Sequence, residues 1–208
     1  MEKTITPFAP LAQYPPYQRT REMSIEDMLL ENRIIFLAGD ITEKTASLII
    51  MRMLYLQSIK KDQEVNVYIN SRGGLVDQTL AIYDTMQFMG CDIATYCIGQ
   101  AASGAALILM AGTKGKRFIL PNARVMLHQP YGGIGGQAED MRIQAEEILK
   151  SKRVLNEIIA KQTGQSLATI EAETERDRFL SATEAKEYGA VDEILQEPPS
   201  DAKKKKPK

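Results

Sequence analysis

The stretch DIATYCIGQAASGAA, residues 92–106, decides how the chain is read. Its first seven residues are rich in β-branched and aromatic side chains and read as a strand. The run behind them, GQAASGAA (99–106), sets one hydroxyl, Ser103, among alanines and glycines. A strand passing directly into a helix is the repeating step of an α/β sheet. Two readings of Ser103 fit that step. Small residues let a helix pack closely against its neighbour, the serine being a tolerated polar atom. They also clear space around a nucleophile, so that a carbonyl group can approach the backbone.

Outward from this point strands and helices alternate. RIIFL (33–37) reads as a strand, and TEKTASLIIMRMLYLQSIK (42–60) as a helix capped by Thr42 with Glu43 in its first turn. EVNVYIN (64–70) is a second strand, closed by SRGG, a turn that suits glycine. Residues 75–89 carry an apolar stripe at Val76, Leu80, Tyr83 and Met86 and read as a helix. The small-residue helix runs from about Ser103 to Met110. KRFIL (116–120) and RVMLHQ (124–129) are short strands parted by the turn PNA. After PYGGIGG, a polar helix covers about 137–161 and another about 166–176. SATE (181–184) is a capping box for a helix ending near Gly189, and AVDEIL (190–195) is a last strand. The expected fold class is α/β with a largely parallel sheet.

Composition narrows the function classes. With 208 residues, 44% hydrophobic and 25% charged, the chain suits one soluble domain with a full core. The expected layout is a flexible proline-rich arm over 1–24, a folded domain over 25–196 and a lysine-rich tail over 197–208. The start MEKTITPFAPLAQYPPYQR holds four prolines and no apolar core, unlike a secretory signal. Setting aside the five lysines of DAKKKKPK takes the net charge from −1 to −6, so the body does not suit nucleic acid. No apolar run reaches the ~18 residues of a membrane span. Cys91 and Cys97 flank one strand, about 20 Å apart at ~3.3 Å per residue, beyond disulfide reach. No metal-ligand or redox spacing occurs, so neither metal nor cofactor is expected, and a cytoplasmic location fits best.

Parallel strands joined by right-handed crossovers present their carboxyl ends on one edge, where open α/β sheets place their ligands. Gly73 and Gly74 follow the second strand, Ser103 follows the third, and His128 closes the fifth. A backbone-donor turn, a hydroxyl and an imidazole thus share one edge. His128 is the only histidine, and a serine hydroxyl needs such a base near neutral pH. A structural histidine at a strand end is the competing reading. Chemistry alone does not choose the third member, an orienting carboxylate, from 27 acids. ERDRF offers Asp177 at a helix-to-loop junction, where a surface salt-bridge cluster is the alternative.

Taken together, YINSRGG, GQAASGAA, RFILPNARVMLHQP and GQSLATIEAETERDRFLSATEAKEYGAVDEIL resemble the proteolytic subunits of ATP-dependent Clp proteases (the ClpP family of serine peptidases). The resemblance spans about residues 25–196. It implies a ClpP/crotonase-type fold of repeated strand-strand-helix units with a protruding handle helix. It also implies a triad of Ser103, His128 and Asp177, with backbone N–H groups of Gly74 (with Gly73) and Gly104 as the oxyanion hole. PYGGIGGQ and the helix after it match the handle through which two heptameric rings of the same chain stack, and Arg176 matches a ring-contact arginine. Tyr68, Phe88, Tyr96 and Ile98 match pockets for a separate AAA+ unfoldase ATPase, with Asn66 where an aromatic is common. Unfolded polypeptides would be cut to short peptides inside the chamber. Arg72 stands where the family usually has proline, Gly104 where it commonly has methionine, and the arm YPPYQRTREMSIEDML differs from the common axial loop.

Other readings fit less well. GIGGQA (133–138) matches a dinucleotide fingerprint, but Pro130 interrupts the approach and no second strand follows promptly. An α/β-hydrolase requires G-x-S-x-G and the order Ser, acid, His, whereas this chain has AASGA and Ser, His, Asp. A crotonase-type acyl-CoA enzyme would share the fold and the oxyanion hole without a Ser–His pair. A non-catalytic ring subunit would hydrolyse nothing alone. No G-x-x-x-x-G-K-[ST] loop is present, so ATP-driven unfolding would fall to a partner.

Overall fold

The computed structural model describes residues 23–133 and 135–196. The elements run α1 (Ile25–Glu31), β1 (Ile34–Ile41), α2 (Glu43–Ile59), β2 (Val65–Gly74), α3 (Val76–Phe88), β3 (Ile93–Ala102) and α4 (Gly104–Met110). They continue β4 (Arg117–Ile119), β5 (Arg124–Leu127), α5 (Ala138–Thr163), α6 (Leu167–Glu173), β6 (Arg178–Ser181), α7 (Ala182–Glu187) and β7 (Glu193–Ile194). Apart from Met23 and Ser24, the expected arm lies outside the described residues, as does the lysine tail. No helix among the described residues is long and apolar enough to cross a membrane.

The α/β expectation holds: β1, β2, β3, β4 and β7 form a parallel sheet in that order. The sheet forks at β3. Its first half, Thr95–Cys97, pairs with β4, while its second half, Gln100–Ala102, pairs with β5. β5 in turn holds β6 antiparallel. Helix α4 lies at the centre, with every residue from Ala105 to Met110 buried. A helix apolar all round belongs in a core. The packing reading of the small residues is therefore correct for Ala105 and Ala106, which are fully buried beneath the turn at Ser103.

Local chemistry sets the boundaries. Thr42 caps α2 through a reciprocal box with Thr45, and Ser181 caps α7 with Glu184, as the sequence predicts. SRGG is not a separate turn: β2 runs through it, with Gly73 and Gly74 paired to Asp40 and Ile41 of β1. A Cβ on Gly74 would lie 2.2 Å from Ile41 O, so only glycine lets these backbones approach. The buried face of α3 is Thr79, Ile82, Tyr83 and Met86, rotated from the predicted stripe; Val76 and Leu80 are half-buried. α6 stops at Glu173, and β6, unforeseen, occupies 178–181. Short strands with mixed polarity carry little periodic signal. Most of α5 is exposed; only Asn156, Ile159 and Gln162, near its C-terminus, are buried.

The anchor of that C-terminus is Arg117 on β4, a fully buried guanidinium. It forms a two-point ion pair with Asp192 (2.5 and 2.9 Å) and donates to Gln162 O (2.9 Å). Burial pushes the Asp192 carboxyl upward. Arg117 and the amides of Arg117 and Gly115 outweigh burial and hold it below the usual carboxylate range. A depressed carboxylate stabilises the fold above its ordinary value and loses that contribution as pH falls through it. Asp192→Asn is accordingly expected to cost about 3 kcal/mol at pH 7, by leaving a buried cation unpaired. Urea midpoints of the variant and parent should converge below about pH 4.

Candidate active site

Ser103 is held in a conformation that L-residues avoid. It lies between β3 and α4 at φ 55° and ψ −125°, one of two non-glycine residues with positive φ among those described. Such a backbone costs on the order of 1–3 kcal/mol and persists only where its surroundings enforce it. Here the Ser103 N–H donates to Met126 O on β5 (2.9 Å), while Ser103 O accepts from Ala106 and Leu107 in the first turn of α4. Although Ser103 is the N-cap of α4, its side chain makes no capping bond, which leaves the hydroxyl to the cleft.

Register brings base and acid together. β5 and β6 pair as Val125↔Leu180, Met126↔Phe179 and Leu127↔Arg178, and the next step sets His128 opposite Asp177. Asp177 Oδ1 lies 3.3 Å from His128 Nδ1. Gln129 clamps the same loop from the next position, its N–H donating to Thr174 O (2.7 Å) and its Nε2 to Glu175 O (3.1 Å). His128 is mostly buried, whereas the Asp177 side chain is 60% exposed, so backbone rather than burial holds the carboxylate. Tyr131 meets the imidazole edge-on at 5.5 Å. His128 and Ser103 line one cleft with Val76, Leu107, Leu127 and Ile159. No hydrogen bond joins the two side chains among the described residues, a separation that substrate binding commonly closes.

The glycines crowd the serine. Gly73 has φ 91°, and a Cβ there would lie 2.8 Å from both Gly104 N and Ser103 Cβ. Its own N–H donates to Ser71 Oγ (3.1 Å). Gly74 lies beyond the last β2–β3 pair, Ser71↔Ala101, and lines the cleft. Gly104 opens α4, where an N–H has no intrahelical acceptor. The reason for glycine at 104 lies in the structure: a Cβ there would stand 2.3 Å from Thr79 Oγ1. Thr79 went unnoticed in the sequence because a threonine in an amphipathic helix has no signature of its own. Exposed Arg176 lines, with Asp177 and Tyr131, an open depression on His128.

Tyr68 and Tyr96 belong to a larger feature. The register Phe36↔Tyr68↔Tyr96↔Phe118 aligns four rings across β1–β4, with centroids 5.4, 4.6 and 5.0 Å apart. Tyr96 Oη donates to Asn66 Oδ1 (3.0 Å), and burial raises its phenol above the ordinary value. Ile98 is half-buried two residues further along. Phe88, at the end of α3, is 79% exposed and makes no ring contact with this ladder. The sequence reading missed Phe36 and Phe118, whose signal is pairing register rather than local pattern.

Fold and cleft together define a class: an α/β protein carrying a strained serine, an imidazole and a carboxylate on one sheet edge. Comparison identifies the family. The family model described as Clp protease matches residues 17–198. The ATP-dependent Clp protease proteolytic subunit 1 of Rhodopirellula baltica is 54% identical over 184 residues, 88% of this chain and 81% of that protein. The chain belongs to the Clp protease family, a family of serine peptidases.

The strain at Ser103 can be measured apart from activity. Glycine relieves it and alanine does not. Ser103→Gly is expected to melt roughly 2–4 °C above Ser103→Ala, corresponding to about 1 kcal/mol in a protein of this size. Equal melting temperatures would mean the turn is unstrained.

Proposed function

We propose that the chain is the proteolytic subunit of an ATP-dependent Clp protease, a serine endopeptidase that cuts unfolded polypeptides to short peptides. The observation that carries this reading is the convergence of Ser103, on its strained turn, with His128 in one cleft, and the 3.3 Å approach of Asp177 to His128 Nδ1. That approach favours hydrolysis over a crotonase-type reaction, which needs no Ser–His pair.

Ser103 Oγ attacks the scissile carbonyl carbon while its proton passes to His128 Nε2. Asp177 orients the imidazole and stabilises the imidazolium without taking the proton. The tetrahedral oxyanion is met by the N–H groups of Gly74 and Gly104. Gly73, whose N–H is engaged by Ser71, contributes its lack of a side chain. Collapse breaks the C–N bond, and the imidazolium proton leaves with the amine. Water, deprotonated by His128, then attacks the acyl ester, releasing a carboxylic acid product and the free serine.

In this reading fourteen copies form two stacked heptameric rings in the cytoplasm, with α5 as the handle between rings and Arg176 at the contact. A separate AAA+ ATPase unfolds substrates and docks on the aromatic face around Tyr68, Tyr96 and Ile98, with Phe88 at its margin. The arm and tail flank this peptidase domain. The assembly serves protein quality control.

A fluorophosphonate probe should attach to Ser103. Ser103→Ala or His128→Ala should lower peptide turnover on the order of 10³-fold or more. An adduct on another serine, or undiminished turnover in Ser103→Ala, removes the triad. Tyr68→Ala should slow ATP-dependent digestion of a folded protein and spare cleavage of short peptides, because aromatic anchors dominate interfaces. Equal losses in both assays would detach the ladder from partner docking.

A further inference from the structure

The cleft beside Ser103 has a floor that the peptidase mechanism leaves unexplained. Thr79, on α3, is 1% exposed and lines that cleft. Its Oγ1 donates to Leu75 O one turn earlier (3.0 Å), so the hydroxyl is satisfied within its own helix and offers no donor to a ligand. The side chain faces Gly104: a Cβ on that glycine would lie 2.3 Å from Oγ1, 3.0 Å from Cγ2 and 3.2 Å from Cβ of Thr79. Thr79 thus occupies the volume that a side chain at 104 would need. The other walls, Val76, Leu107, Leu127, Leu155 and Ile159, are apolar, and the space between them is about 30 Å³.

From this arrangement we infer that Thr79 is a specificity-determining residue, which closes the apolar pocket next to the nucleophile and restricts the side chain before the cut bond to short aliphatic groups. The inference rests on Ser103 being the nucleophile. A pocket of this size has no room for an aromatic ring or a long chain. Its aliphatic walls give a charged or amide side chain no partner to replace lost water. An alanine- or valine-sized group fits with least displacement of the walls. Gly104 and Thr79 form one unit in this account. The threonine fills the pocket only because residue 104 lacks a side chain, and its bulk forbids one there.

The test uses fluorogenic peptides that differ only in the residue before the cut: alanine, valine, leucine or phenylalanine. The wild-type chain should prefer the first two. Thr79→Ala, which removes Oγ1 and Cγ2, should raise kcat/KM for the leucine or phenylalanine peptide relative to the alanine peptide by about tenfold or more, the discrimination expected of one or two methyl-sized groups. Thr79→Val keeps the volume without the hydroxyl and should stay within about threefold of the wild-type ratio. A second pair guards against misfolding of the first. Gly104→Ala should slow fluorophosphonate labelling of Ser103 by about tenfold or more, and adding Thr79→Ala should restore it, because contacting residues couple. The proposal fails if Thr79→Ala scales all four peptides alike, if the wild type prefers phenylalanine, or if Thr79→Ala does not rescue Gly104→Ala. Absence of labelling at Ser103 in the wild type would strike the nucleophile assignment itself, whereas normal labelling with unchanged preference would strike only the role of Thr79.

Discussion

The hydrogen bond from Ser103 N–H to Met126 O, 2.9 Å long, joins the two halves of the candidate site. It extends the β3–β5 ladder by one step beyond Ala102↔Met126, into a residue that has already left the strand. On one side of the bond the chain turns into α4 with a positive φ at Ser103. On the other, β5 has two residues left before His128. Neither end could drift without breaking a buried ladder bond, and an unpaired buried amide costs about 1–3 kcal/mol. The distance from nucleophile to base is thus a property of the sheet rather than of flexible side chains.

The fork at β3 makes this bond possible. A strand of ten residues offers one edge, which β4 occupies early and β5 late. The turn at 121–123 lets the chain step from one half to the other. β6 then pairs with the free side of β5 and delivers Asp177 opposite His128. Because Asp177 is largely exposed, its position depends on the backbone bonds of Gln129 to the 174–175 segment. The same segment touches α5, through Thr174 with buried Asn156 (3.4 Å) and Glu175 with Lys152 (3.0 Å). The long exposed helix and the carboxylate are therefore linked by direct contacts.

The strain at Ser103 is sustained by packing. Ala105 and Ala106 are fully buried, and the rest of α4 fills the core between sheet and helices. Burying an apolar helix on every side yields several kcal/mol, at roughly 25 cal/mol per Å² of apolar surface, against the few that the turn costs. The two readings of GQAASGAA are thus complementary: the alanines pack, and that packing holds the serine where a glycine would sit more easily. On the opposite side of the strands, Phe36, Tyr68, Tyr96 and Phe118 form a stacked row that leaves Phe36 40% exposed.

Alternating apolar patterns, Thr42 and Ser181 as caps, and hydroxyl, imidazole and glycines after successive strands were legible in the sequence, because each depends on neighbours a few residues apart. They determined the α/β class and the sheet edge that carries Ser103 and His128. The resemblance of several motifs in order pointed to Asp177, which residue chemistry alone left among 27 acids. Tertiary structure supplied the physical reason: one antiparallel register, β5 against β6, sets that carboxylate beside His128. It likewise decided that SRGG continues a strand, that Thr79 rather than Val76 or Leu80 faces inward on α3, and that glycine at 104 answers to Thr79. Each of these depends on which backbone lies beside which, a relation between residues 25 to 50 apart that no local pattern encodes.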